Sequence, residues 1–135
     1  MIRHAAPADA AAATALWHTC ALTRPWNDPA ADFARALACP TATVLLLEQA
    51  GAPIGTVMAG YDGHRGWLYY LAVDPAHQRQ GHARALVQAA CPFLQQQGCP
   101  KVELMVRNGN PATALYQHLG WQRQDVEVWG LTLQP

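Results

Sequence analysis

Trp67-Leu-Tyr-Tyr-Leu-Ala-Val-Asp-Pro-Ala-His-Gln-Arg-Gln-Gly-His-Ala-Arg-Ala-Leu86 reads as a strand, a short polar loop and the first turn of a helix. The apolar run Trp67–Val73 is rich in aromatic and branched residues, as strands are. Asp74 and Pro75 close it, and a helical stretch opens at Gly81 and runs to about Gln97. The first turn of a helix carries unpaired backbone N–H groups and the positive end of the helix dipole. Such a turn is an anion site, and a glycine there lets a phosphate approach the backbone. Arg79 adds a positive charge at the same place. Taken by itself, the segment also fits a plain connection with an incidental glycine, because short glycine motifs recur by chance.

Working outward, the 135 residues suit one domain with one core, and the expectation is a single domain over 1–135. Hydrophobic residues make up 51% of the chain, enough for a globular fold. Nine basic residues balance nine acidic ones, without a basic block or stripe, so nucleic acid is not an expected partner. No apolar run approaches the length of a membrane span, so no membrane partner is expected. The first residues lack a secretory apolar stretch, which makes a cytoplasmic location the expectation. Cys20, Cys39, Cys91 and Cys99 form no paired motif, and the six histidines have no ligand-like spacing. No metal is expected, and the cysteines read as free thiols.

Met1–Arg3 suits a short edge strand. Pro7 and Asp9 open a first helix whose apolar positions are Ala13, Leu16, Trp17 and Cys20. Arg24-Pro-Trp-Asn-Asp-Pro29 is a loop, from which Asp28 caps a second helix with Pro29 at its first position. Phe33 and Leu37 mark the buried face of that helix, and Pro40 ends it. Thr41–Glu48, Ile54–Tyr61 and Trp67–Val73 are three strands joined by Gly-containing turns, an antiparallel meander. The long helix from Gly81 contains Pro92, which should bend or interrupt it, and Gly98 follows its end. Val102–Val106 is a strand, Pro111–Leu119 a short helix, and Val126–Leu133 a last bent strand or strand pair. The order is β-α-α-β-β-β-α-β-α-β, an α/β mixed sheet flanked by helices rather than a doubly wound parallel sheet.

Two motifs carry a family resemblance. Gln78-Arg79-Gln80-Gly81-His82-Ala83 resembles the pyrophosphate loop of the GNAT N-acetyltransferases, Q/R-x-x-G-x-G/A. Asn110-Pro-Ala-Thr-Ala-Leu-Tyr-Gln-His-Leu-Gly-Trp121, after the strand residues Leu104-Met-Val106, resembles that family's C-terminal motif. The element order is also that of the GNAT acyl-CoA N-acyltransferase fold. Arg24–Pro29 and Gly60-Tyr-Asp-Gly-His-Arg-Gly66 are similar, more narrowly, to its YpeA-like small bacterial members. The resemblance implies an acetyl-CoA-dependent N-acetyltransferase that moves an acetyl group to a primary amine by direct attack. It implies that the backbone of Leu71, Ala72 and Val73 pairs with the pantetheine arm, one N–H there polarising the thioester carbonyl. It implies that Gln78, Arg79, Gln80, Gly81, His82, Ala83 and Arg84 hold the pyrophosphate, that Asn110 touches the cofactor, and that Tyr116 is the general acid for the departing thiolate. Tyr116 follows Asn110 by six residues where the family pattern has seven, which leaves the Asn110 contact open.

A phenol suits the acid's task because it stays protonated at neutral pH. On spacing alone, Tyr116 would equally be a packing residue and Asn110 a helix cap. Glu103, Asp62, His64 and Asp28 are all candidates for a base, and a base is dispensable if water carries the proton. Trp26, Asn27, Tyr61, His64 and Tyr69 are candidate walls of the acceptor site. The acceptor, a small-molecule or peptide amine, is not named by the sequence, nor is the oligomeric state. The other reading, from a different class, is a catalytically silent CoA-binding sensor or interaction module.

Overall fold

The computed structural model describes residues 1–133. The chain divides into two compact units, 1–105 and 106–135. The first is a five-stranded sheet in the order β1-β2-β3-β4-β5, formed by Ile2–His4, Ala42–Gln49, Ala52–Tyr61, Gly66–Val73 and Val102–Leu104. The strands β1 to β4 pair antiparallel with one another in turn, and β5 runs parallel to β4. The expected meander is β2-β3-β4, and a two-residue turn at Ala50–Gly51, both at positive φ, closes its first hairpin.

Helices α1 (Ala10–Thr19) and α2 (Pro29–Ala38) cover one face of the sheet. Ala13, Leu16, Trp17, Phe33 and Ala36 pack there against Val44, Leu46 and Ala72. The Asp28 carboxylate accepts the Ala31 N–H at 3.1 Å with Pro29 behind it, so α2 starts where its cap dictates. Asp9 accepts the Ala6 N–H and is held by both terminal nitrogens of Arg3 at 2.9 Å. Helix α3 (His82–Gln96) covers the other face. It sits close because β3 and β4 offer glycines beneath it. A Cβ on Gly55 would stand 2.9 Å from Leu86 Cδ1, and one on Gly66 would stand 2.8 Å from Cys99 Sγ. Of the bend or interruption expected at Pro92, the interruption does not occur: α3 is continuous through it. Buried Leu86, Val87 and Ala90 before it and Leu94 after it fix both halves to the sheet, outweighing one lost hydrogen bond.

Strand β5 stops at Leu104, two residues short of the expected end, because its pairing with β4 covers only Gly66–Leu68. The second unit contains helix α4, Thr113–His118, two residues later than expected at its start. Asn110 Oδ1 accepts the Ala112 N–H at 2.8 Å, a local turn that draws Pro111 and Ala112 out of the helix. Asn110 therefore caps that turn, and the N-cap position falls to Ala112. The strand expected over Val126–Leu133 is not formed among the described residues. A strand is stabilised by a neighbour's ladder, and the unit 106–135 contains no described strand to supply one.

Candidate active site

Strand β4 is irregular where the family resemblance puts its acyl-carrying residues. Thr56 pairs with Ala72 and Met58 with Tyr69, so Val57 alone stands against both Tyr70 and Leu71. This is a bulge with the extra residue in β4. Tyr70 takes φ of +51°, which costs an aromatic residue roughly 1–2 kcal/mol. Its ring stacks on Trp17 at 3.8 Å and its hydroxyl donates to Asp32 Oδ2 at 2.7 Å. Burial, then the bond to Asp32, raises this phenol well above its ordinary range. Beyond Leu68, β4 has no described strand along the edge that faces β5, so the segment 69–73 has one side open.

The polar loop follows at the end of this open edge. Asp74 accepts the Ala76 N–H at 2.9 Å, and the side-chain amide of Gln78 donates to Val73 O at 3.0 Å. Arg79 and Gly81 both lie at positive φ, 64° and 82°, which curls the backbone just before α3. Gly81 caps the helix, and Ala85 N is the first amide to donate along it, to Gly81 O. The N–H groups of His82, Ala83 and Arg84 therefore have no partner within the helix. Arg79, Gln80, Gly81 and Arg84 are exposed around them, and His82 Nε2 lies 3.3 Å from Gln80 Oε1. Alternating backbone signs, first-turn amides without a partner in the helix and two arginines are chemistry that suits an anion.

The remaining candidates fall into three groups. Tyr61, His64 and Tyr69 belong to the β3–β4 hairpin, where Tyr69 stacks beside Trp67 at 6.5 Å. Asp62 accepts the N–H groups of Arg65 and His64, each at 2.8 Å, and these lower its carboxyl, making it a weak base. Burial and then the Asp62 charge raise the Tyr69 phenol. Glu103, another candidate base, lies 3.5 Å from the Arg65 guanidinium. Trp26 and Asn27 stand exposed on the loop before α2. In the second unit, Tyr116 packs its ring on Trp121 at 5.7 Å, and burial raises its phenol above the ordinary value. Sequence reasoning placed Trp17 on the apolar face of α1 but missed its contacts with Thr56 and Tyr70, and the Tyr70–Asp32 bond. The one available signal was the adjacent pair Tyr69-Tyr70, which breaks the period-two alternation of a half-buried strand.

Comparison with known proteins identifies the family. Residues 11–121 match the acetyltransferase (GNAT) family. An acetyltransferase of Yersinia enterocolitica is 44% identical over 119 residues, 87% of this chain and 84% of its own. The chain belongs to the GNAT acetyltransferase family. As a GNAT member it is an acetyltransferase, and membership implies transfer from acetyl-CoA. The fold is shared more widely. A solved aminoglycoside N-acetyltransferase in complex with CoA superposes with a TM-score of 0.81 at 17% identity, over 99% of this chain and all of that one. A ribosomal-protein-alanine N-acetyltransferase from Brucella melitensis gives 0.78 at 20% identity over 98% of each chain. Among the described residues no helix is long and apolar enough to cross a membrane, and no group of three or more His, Cys, Asp or Glu side chains is placed to hold a metal ion.

Proposed function

We propose that this GNAT protein transfers acetyl from acetyl-CoA to the primary amine of a small molecule or peptide end, by direct attack and within one domain spanning 1–135. The observation that carries the reading is the coincidence of an open, bulged β4 edge with an anion cradle at its end. An extended pantetheine arm needs a strand edge, and a diphosphate needs clustered amides and positive charge a few residues further on. In this reading the backbone of Leu71, Ala72 and Val73 lies along the arm, and an N–H on its open side polarises the thioester carbonyl as charge develops. Residues Gln78 to Arg84 hold the diphosphate. Tyr116, kept protonated by burial, gives its proton to the thiolate. Asn110 is assigned here to its turn, since Oδ1 is engaged by Ala112 N–H. Tyr61, His64 and Tyr69 on the hairpin, with Trp26 and Asn27, are the proposed acceptor walls.

The test is a panel of amine acceptors assayed for release of CoA thiol. Acetylated product from at least one primary amine is expected, with the rate rising with pH as the bound amine loses its proton. Thiol release no faster than hydrolysis across amino acids, peptides, polyamines and aminoglycosides would reject the enzyme reading in favour of a silent CoA-binding module. Rapid quenching with labelled acetyl-CoA and no acceptor checks direct attack. A kinetically competent acetyl-cysteine adduct would contradict it.

A further inference from the structure

The bulge in β4 has a clamp behind it that the transfer chemistry above leaves unused. Thr56 is fully buried in β3, paired with Ala72 at the edge of the bulge. Its hydroxyl donates to the Tyr70 carbonyl at 2.8 Å and accepts from the Trp17 indole N–H at 2.9 Å. A side-chain bond thus stands in where the bulge disturbs the backbone ladder. Trp17, itself at 0% exposure, meanwhile stacks on the Tyr70 ring, and Asp32 receives the Tyr70 hydroxyl. Tyr70 is therefore held at its ring, its hydroxyl and its carbonyl while its backbone stays at φ of +51°. The Tyr70 carbonyl and the Leu71 N–H belong to one planar peptide unit. Fixing the direction of one fixes the direction of the other.

We propose that Thr56, oriented by Trp17, is a positioning residue for acetyl transfer: it sets the peptide plane that aims the Leu71 amide along the open edge of β4. This rests on the reading of Leu71–Val73 as the acyl-carrying edge. A buried hydroxyl with one donor and one acceptor partner, each satisfied, is specific to Ser or Thr at this position. Valine keeps the approximate shape but leaves both the indole N–H and the Tyr70 carbonyl unpaired in the interior. The Tyr70 peptide then has a reason to rotate. Misplacing a polarising group by about 1 Å is enough to cost on the order of 100-fold in rate.

The experiment uses the full chain, ¹⁵N-labelled, titrated separately with CoA and with acetyl-CoA, in wild type, Thr56→Val and Thr56→Ser. Amide shifts at Gly81, His82 and Arg84 report diphosphate binding. The difference between the two titrations at Leu71 and Ala72 reports the acetyl group. We expect the loop shifts to persist in all three proteins. The acetyl-dependent difference at Leu71 should collapse in Thr56→Val and return in Thr56→Ser, which restores the hydroxyl. With an acceptor in hand, Thr56→Val should lower kcat by about 10- to 100-fold with acetyl-CoA affinity changed less than about threefold, and Thr56→Ser should recover most of it. An acetyl-dependent Leu71 shift in Thr56→Val equal to that of wild type overturns the positioning role while leaving the proposed function standing. Absence of loop shifts in wild type overturns the proposed function, and this inference with it. If Thr56→Val lacks a native spectrum, Trp17→Phe carries the test, since it removes the N–H that orients the hydroxyl. An undiminished Leu71 difference there again defeats the proposal.

Discussion

Replacing Gly81 with aspartate tests the anion cradle at its centre. Gly81 has φ of +82° and caps α3, and a Cβ built on it meets no atom of the protein within 4 Å. Any side chain there pays backbone strain of about 1 kcal/mol but meets no steric conflict in the free protein. Aspartate tolerates the left-handed region better than most residues, so the variant should fold. Its carboxylate, however, would stand where the diphosphate is proposed to bind. One pair of like charges about 5 Å apart at an effective dielectric of 20 repels by roughly 3 kcal/mol, and screening reduces this. Binding of acetyl-CoA should therefore fall at least tenfold, equivalent to about 1.4 kcal/mol. Gly81→Asn separates the causes, having the same shape and strain without charge, and should lose clearly less. Calorimetric titration with acetyl-CoA at two salt concentrations measures both. Equal affinity for wild type and a folded Gly81→Asp would remove the loop from the binding site, whatever its geometry suggests.

Tyr116→Phe should lower kcat by about 10²-fold or more with calorimetric acetyl-CoA affinity unchanged, because only the proton donor is lost. Full turnover at saturating substrate would return Tyr116 to a packing role against Trp121. Asp28→Ala removes the cap of α2 and should reduce stability by about 1 kcal/mol in urea unfolding, with the midpoint rather than the slope changing. The Asp9 carboxyl is lowered to about 2, first by its hydrogen bonds from Arg3 and then by the Ala6 N–H, against roughly 3.9 in an unfolded chain. A carboxyl lowered on folding stabilises the protein above pH 4 or so, and that contribution disappears as pH falls through about 2. Asp9→Asn should flatten the acid limb of thermal stability between those values, and an unchanged acid limb would show that the Arg3 contact does not persist in solution.

Much of this architecture was legible because several signals agreed. Asp28-Pro29 starts α2, Gly98 follows the end of α3, and the Gly-containing turns delimit three strands, each by local stereochemistry that packing did not have to override. The loop from Gln78 to Arg84 was legible for the same reason. The parts that escaped depend on contacts distant in sequence. Pro92 argues for a break in any isolated helix, but buried Leu86 and Leu94 on either side bind the two halves to one sheet. Nothing near Asn110 announces that its side chain will bond Ala112 and delay α4. Alternation over Val126–Leu133 suggests a strand, yet a strand exists only with a neighbour. The clamp on Tyr70 draws on Trp17, Asp32 and Thr56, and no one-dimensional period joins positions so far apart. That clamp was the least visible feature of the β4 bulge.

The two glycines under α3 have a mechanical consequence. Gly55 and Gly66 act as a height gauge, because each missing methyl lets the helix settle nearer the sheet by about the thickness of a carbon atom. Leu86, which rests over Gly55, lies only about one turn from the helix start at His82. Whatever lifts Leu86 lifts the amides of that first turn as well. A methyl at Gly55 would press on Leu86 Cδ1 and the Ala72 carbonyl together, prying apart the two surfaces that a CoA molecule would have to touch at once. Bare backbone on a sheet face thereby tunes the gap between the β4 edge and the first turn of α3.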